Sequence, residues 1–156
     1  MGFLMDLVAG ETREIVLAIS VEDWAALDDP ARFRAHLSMG GATDPTWLDL
    51  FSEAVRNVTG GDEPTDFIDA RRELDDLGDV GERTLERVDP AWVTAVARVA
   101  DGDVDAIAGR WIDLLAEELG DLPREEKPWI RTLAGDVVAF CRRADLSPAV
   151  ILAWSL

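Results

Sequence analysis

Residues 103–120 read DVDAIAGRWIDLLAEELG and carry the clearest periodic pattern in the chain. Apolar residues recur here at steps of three and four, which is the spacing of one face of an α-helix. They are Val104, Ile107, Ala108, Trp111, Leu114 and Leu115. Acidic side chains fill the opposite side, and Gly120 follows at a position where glycine commonly ends a helix. The stretch therefore predicts an amphipathic helix that packs its apolar stripe against a core.

Similar patterns extend outward from this helix in both directions. Residues 47–58, 92–99 and 128–144 show apolar steps of three and four, and residues 64–77 show a narrower stripe. Four pairs of a capping residue and a proline each mark the start of a predicted helix: Asp29-Pro30, Asp44-Pro45, Asp89-Pro90 and Ser147-Pro148. A capping side chain followed by proline is typical of the first residues of a helix. These signals favour a chain that is mostly helical.

Two short segments, residues 14–20 and 83–88, fit both a helix and a strand, and they would pair if both were strands. We therefore predict an all-α fold, or nearly so, in which six to eight short helices form a compact bundle with at most one small pair of strands. A length of 156 residues fits one domain, so residues 1–156 are predicted to form a single acidic helical domain.

The last nine residues, PAVILAWSL, contain no charged side chain. Leaving a large apolar side chain in water forfeits roughly 1.5–3 kcal/mol. We expect Ser147 to cap a short final helix that docks on the core with Trp154 as its main anchor. In the alternative, the segment forms a homodimer interface, so the oligomeric state is either a monomer or a homodimer. The candidate docking or interface residues are Val150, Ile151, Trp154 and Leu156.

The composition is strongly acidic, with 32 Asp and Glu against 15 Lys and Arg and a formal net charge of −17. A field of this sign repels phosphate backbones and anionic lipid surfaces. The charge therefore excludes a general nucleic-acid-binding surface and predicts no membrane association. The first residues contain no basic region, and no apolar run near them is long enough for a signal peptide or a membrane span. These features predict a cytoplasmic protein.

The sequence predicts no catalytic residue, metal site or cofactor. One Cys and one His exclude an intramolecular disulfide and a Cys/His zinc site. The alternating acids of residues 101–105 match the start of a calcium loop, but its sixth and twelfth positions hold Ala106 and Ile112. A nucleophile–base pair of Cys141 and His36 is disfavoured, because Cys141 lies on an apolar helical stripe and His36 is expected at the end of a short surface helix.

These observations favour a non-enzymatic intracellular binding module whose acidic face engages a basic partner protein, such as an inhibitor, an immunity-type protein or an adaptor. Residues 59–90 hold the densest charge, with eleven acidic residues against four arginines. The candidate partner-binding residues are Asp62, Asp66, Asp69, Asp75, Asp76 and Asp79. The alternative is a small-molecule-binding regulator or an enzyme with a pocket between helices. Its signature would be a carboxylate or an arginine buried in a concave apolar site.

Overall fold

The computed structural model of the protein describes residues 4–40, 42, 45–74 and 83–155. Five strands are present in these ranges: β1 (Leu4–Gly10), β2 (Ala35–Ser38), β3 (Arg71–Glu73), β4 (Thr84–Val88) and β5 (Ala149–Ser155). The described helices are α1 (Thr12–Ser20), α2 (Thr46–Thr59), α3 (Phe67–Ala70), α4 (Pro90–Ala97), α5 (Val104–Leu119) and α6 (Glu126–Ala144). The fold is therefore mixed α/β, and the prediction of an all-α bundle is wrong.

The strands form one antiparallel sheet in the order β2-β1-β5-β4-β3. The C-terminal strand β5 lies in the middle, with Ala153 opposite Asp6 of β1 on one side and opposite Leu85 of β4 on the other. The expectation that Ser147 caps a final helix is therefore wrong. Successive residues of β5 point to opposite faces, and both faces are covered by the protein, so the strand is apolar throughout and shows no alternation.

Each face of the sheet packs against its own set of helices. On the first face, defined by Leu7 and Leu152, the strands share a core with α2, α4, α5 and α6. On the second face, defined by Val8 and Ile151, they pack against α1 and a short 3₁₀ helix. That 3₁₀ helix spans Trp24–Asp28. The sheet therefore separates a large apolar layer from a small one.

Four predicted helices are confirmed as α2, α4, α5 and α6. The cap of α4 is the expected one, because the Asp89 side chain accepts a hydrogen bond from the Ala91 backbone N–H at 2.9 Å. Gly60 ends α2 in the left-handed conformation, with φ 74°, which glycine adopts without a steric penalty.

Other predicted helices are wrong. A turn and then β2 follow Asp29-Pro30, so His36 lies on a strand. The Asp29 side chain accepts a hydrogen bond from Ala31 N–H at 2.9 Å, a local contact that also forms where no helix follows. Of residues 64–77, only Phe67–Ala70 is helical before β3 begins, and residues 75–77 lie outside the described ranges.

The two ambiguous segments differ from each other. Residues 14–20 belong to helix α1, whereas residues 84–88 form strand β4. The two segments therefore do not pair; β4 pairs with β5 and β3 instead. In the described part of the chain, no helix is both long enough and apolar enough to cross a membrane.

Candidate functional site

A cavity of about 530 Å³ opens on the first face where β3, β4 and β5 lie side by side. We call it the Glu86 cavity, and it is lined by Ile68, Arg71, Glu73, Thr84, Glu86 and Trp154. The register explains this grouping, because Thr84 lies opposite Trp154 and Glu73 lies opposite Glu86. Side chains two residues apart on a strand point the same way, so all three strands direct polar groups into one opening.

Glu86 is the buried acid of this cavity, with 7% of its surface exposed. Its Oε1 accepts one hydrogen bond from Arg71 Nη1 at 2.8 Å and another from Trp154 Nε1 at 2.6 Å. The Arg71 guanidinium also lies 5.9 Å from the centre of the Trp154 ring. Among the described residues, Glu86 Oε2 has no hydrogen-bond partner, and it is not a fully buried atom. One carboxylate oxygen therefore remains open to solvent in the cavity.

A second cavity, of about 340 Å³, lies on the second face. We call it the His36 cavity, and it is lined by Asp6, Trp24, Ala25, Asp28, His36, Ser38 and Arg83. Strands β1 and β2 supply its floor, because Asp6 pairs with Ser38 and Val8 pairs with His36. The 3₁₀ helix Trp24–Asp28 supplies one wall.

His36 bridges two carboxylates in this cavity. Its Nε2 lies 2.9 Å from Asp6 Oδ1, and its Nδ1 lies 2.8 Å from Asp28 Oδ1. Burial of the ring opposes its charged form, but the hydrogen bonds to Asp6 and Asp28 outweigh burial and raise the pKa of His36 above 6.5. Both ring nitrogens are occupied, so the imidazole has no free nitrogen to act as a general base.

Arg83 completes the buried charge network. Its Nη1 lies 3.3 Å from Asp6 Oδ2, and its guanidinium lies 4.1 Å from the centre of the Trp24 ring. Asp6 and Leu85 both pair with Ala153 of β5, so Arg83 reaches Asp6 across a strand that presents only a methyl group there. The side chains of Asp6 and Arg83 are 7% and 12% exposed.

Comparison with known proteins found no matching protein family, no similar curated protein and no similar solved structure.

The predicted partner-binding acids are only partly described. Asp62, Asp66 and Asp69 are exposed, whereas Asp75, Asp76 and Asp79 lie outside the described residues. Asp66 is paired with Arg56 at 2.7 Å. Asp69 lines a smaller cavity of about 270 Å³ together with Arg72 and Arg87. The structure thus places arginines beside two of these three acids.

The predicted apolar docking residues belong to the central strand. Val150 and Ile151 are buried inside the protein on opposite faces of the sheet. Trp154 is partly exposed at the Glu86 cavity, and Leu156 lies outside the described residues. The oligomeric state stays a prediction.

The disfavoured pair of Cys141 and His36 is not assembled. Cys141 is fully buried in the core of the first face, where burial strongly raises the pKa of its thiol. His36 lies on the second face, on the other side of the sheet.

Two acidic residues in the segment 101–105 form ion pairs with arginines of another helix, and they are not arranged as calcium ligands. Asp101 is paired with Arg142 at 2.6 Å, and Asp105 is paired with Arg131 at 2.8 Å. Within the described ranges, no three His, Cys, Asp or Glu side chains are placed to hold a metal ion.

Sequence reasoning selected Trp154 as an apolar docking residue, but it did not select the polar residues of either cavity as site residues. Glu86 gave no clear signal, because its strand also contains Thr84 and Arg87. A signal was present at Asp6, which is the one charged residue in the segment LMDLVAG at residues 4–10. A buried charge is retained only where partners compensate it, so such an acid points to a built polar site.

Proposed function

We propose that the protein is a non-enzymatic binding module that captures a basic protein by accepting one of its arginine side chains in the Glu86 cavity. The observation that supports this function is the buried Glu86 carboxylate, whose Oε1 is fixed by Arg71 and Trp154 while Oε2 remains open. A carboxylate held in this way is ready to accept hydrogen bonds from a cation without first losing its own conformational freedom.

The charge of the cavity selects a cation. Glu73 lies directly opposite Glu86, and Glu73 has no ion pair among the residues described. Among the described lining residues, Arg71 alone is basic, and its charge is offset by the pair with Glu86. The net charge of −17 would also speed the encounter with a positive partner.

The shape of the cavity favours arginine over lysine. The partly exposed Trp154 ring forms one side, and the exposed Ile68 side chain lies at the rim. A planar guanidinium stacks on an aromatic ring and presents several N–H donors in one plane, which suits the open Glu86 Oε2 beside the Glu73 carboxylate, whereas the compact ammonium of lysine does not stack. A volume of about 530 Å³ accommodates such a side chain with part of its backbone.

This proposal retains the predicted acidic stretch as the binding region. Glu73 and Glu86 both belong to residues 59–90, where the sequence places its densest negative charge. The proposal also retains a cytoplasmic location for the protein, either as a monomer or as a homodimer.

The test measures binding of a blocked oligo-arginine peptide to the whole protein by isothermal titration calorimetry. Glu73→Gln combined with Glu86→Gln removes both negative charges of the cavity but keeps an oxygen that accepts the hydrogen bonds of Arg71 and Trp154. We expect this double variant to bind the peptide about tenfold more weakly or worse, because close charge pairs in partly desolvated sites contribute at least that much. An oligo-lysine peptide of equal length should bind the unchanged protein more weakly than the arginine peptide.

The matched control removes two exposed charges elsewhere, with Asp113→Asn and Glu117→Gln on α5. Its affinity for the arginine peptide should stay within about twofold of the unchanged protein, since exposed charges at a distance are screened by salt. Equal weakening in both double variants would mean that only net charge attracts the peptide, and this would contradict the proposed site. Circular dichroism of each variant establishes that it is folded.

A further inference from the structure

The His36 cavity lies on the opposite face of the sheet from the Glu86 cavity, and it contains a different set of groups. We propose that this second cavity binds a free amino acid, with the ligand carboxylate on Arg83 and the ligand ammonium on Asp28. The inference goes beyond the proposed function and does not depend on it, because the two cavities share no lining residue.

Several polar atoms of the His36 cavity already have hydrogen-bond or ion-pair partners within the protein. Both ring nitrogens of His36 contact carboxylates, and the two oxygens of Asp6 contact His36 and Arg83 respectively. These side chains therefore fix one another and leave no unoccupied base.

Three other groups keep capacity for a ligand. Arg83 makes one recorded hydrogen bond, through Nη1, and its other nitrogens have no hydrogen-bond partner in the described ranges. Asp28 accepts at Oδ1 from His36, and its side chain is 73% exposed. The Ser38 side chain is exposed at the cavity and makes no recorded hydrogen bond within the described part of the chain. The cavity thus offers a fixed cation, an accessible anion and a hydroxyl.

The balance of charges selects the ligand class. Two acids, Asp6 and Asp28, face the Arg83 guanidinium and the His36 imidazole, and both carboxylates favour the charged form of that imidazole. A net positive ligand would be repelled by the cations, and a net negative ligand by the carboxylates. A small zwitterion places its own two charges against the two groups that remain available, so it forms two charge-assisted hydrogen-bonded contacts without adding net charge.

The Arg83 guanidinium is also held in position before a ligand binds. The Trp24 ring packs 4.1 Å from the Arg83 guanidinium, and Asp6 holds one of its ends. Less side-chain entropy is therefore lost when a carboxylate binds. The volume of about 340 Å³ fits an amino acid, since sites for small molecules begin at roughly 300 Å³.

The experiment follows the Trp24 indole N–H by NMR while each of the twenty amino acids is added separately to the whole protein at about pH 6, where His36 is charged. We expect at least one amino acid to shift this signal in a saturable manner. The amide of that amino acid, which lacks the carboxylate, and its N-acetyl form, which lacks the ammonium, should each bind at least about tenfold more weakly.

Two variants locate the binding. Asp28→Asn and Arg83→Lys should each weaken binding of the amino acid about tenfold or more, whereas Glu11→Gln, which changes an exposed side chain outside the cavity lining, should leave the affinity unchanged. The inference is overturned if no amino acid moves the Trp24 signal. It is also overturned if the amide and N-acetyl forms bind equally well, or if Asp28→Asn and Arg83→Lys bind like the unchanged protein. None of these outcomes bears on the arginine peptide, which is read at the Glu86 cavity.

Discussion

At the scale of single residues, the most informative side chains are the two acids buried in the sheet. Asp6 is compensated by His36 and Arg83, and Glu86 is compensated by Arg71 and the indole of Trp154. Removing one partner of such a group leaves a buried charge that costs several kcal/mol. Conservative replacements that keep the hydrogen bond are therefore the informative ones at these positions.

His36 makes the stability of the protein depend on pH. Its pKa is raised above 6.5 in the folded protein, so protonation favours the folded state. This contribution is fully present below about pH 6.5 and is lost as the pH rises through the folded pKa. We predict that the free energy of unfolding is higher for the unchanged protein than for the variant His36→Gln. This difference between the two proteins should be larger at about pH 6 than at about pH 9.

Urea denaturation of both proteins at the two pH values measures this difference, and the comparison cancels groups that titrate in both. A difference that stays constant, or grows toward alkaline pH, would show that His36 is neutral in the folded protein.

At the scale of elements, the sequence predicts the helices of the first face and misses the sheet. Helices α2, α5 and α6 each have one apolar stripe and one solvated side, so their period of 3.6 is visible in the sequence. Helix α4 contains no charged residue, and its start is marked by the Asp89 cap and Pro90. Strand β5 is covered on both faces, so its apolar run carries no period at all. Strand β1 is also buried on both faces, so apart from Asp6 its sequence shows no alternation that would indicate a strand.

The central position of β5 has a measurable consequence. Leu152 lies between β1 and β4 and is fully buried against the helices of the first face. We predict that Leu152→Ala lowers the free energy of unfolding by about 2–5 kcal/mol, because the cavity it leaves cannot collapse within a paired strand.

Leu119→Ala is the matched control, since Leu119 is 55% exposed at the end of α5. The same chemical change should cost no more than about 0.5 kcal/mol there. Similar losses at both positions, measured by urea denaturation, would contradict the central placement of β5.

At the scale of the whole molecule, both candidate sites depend on contacts between distant parts of the chain. Arg83 and Asp6 are 77 residues apart in sequence, and Trp154 and Glu86 are 68 residues apart. The net charge predicts a cationic partner but does not indicate where it binds, because acidic residues occur along the entire sequence. Only the register of the sheet selects Glu73 and Glu86 from the 32 acidic residues.

The sheet also separates the two sites and gives each its own reporter. Neighbouring residues of β5 point to opposite faces, so Trp154 belongs to the Glu86 cavity whereas Ala153 lies under the His36 network. Trp24 lines the His36 cavity, and Trp129 is exposed near the start of α6. The indole N–H signals of these three tryptophans therefore report on three different surfaces.

The most direct measurement of the central claim is an NMR titration of the unchanged protein with the oligo-arginine peptide, followed at the tryptophan indole N–H signals. The Trp154 Nε1 proton is donated to Glu86 Oε1, so an arginine that binds Glu86 changes this signal first. We predict a saturable shift at Trp154, while Trp24 and Trp129 stay within experimental error. A Trp154 signal that does not move while the peptide binds, or equal shifts at all three indoles, would contradict recognition of a basic partner at the Glu86 cavity.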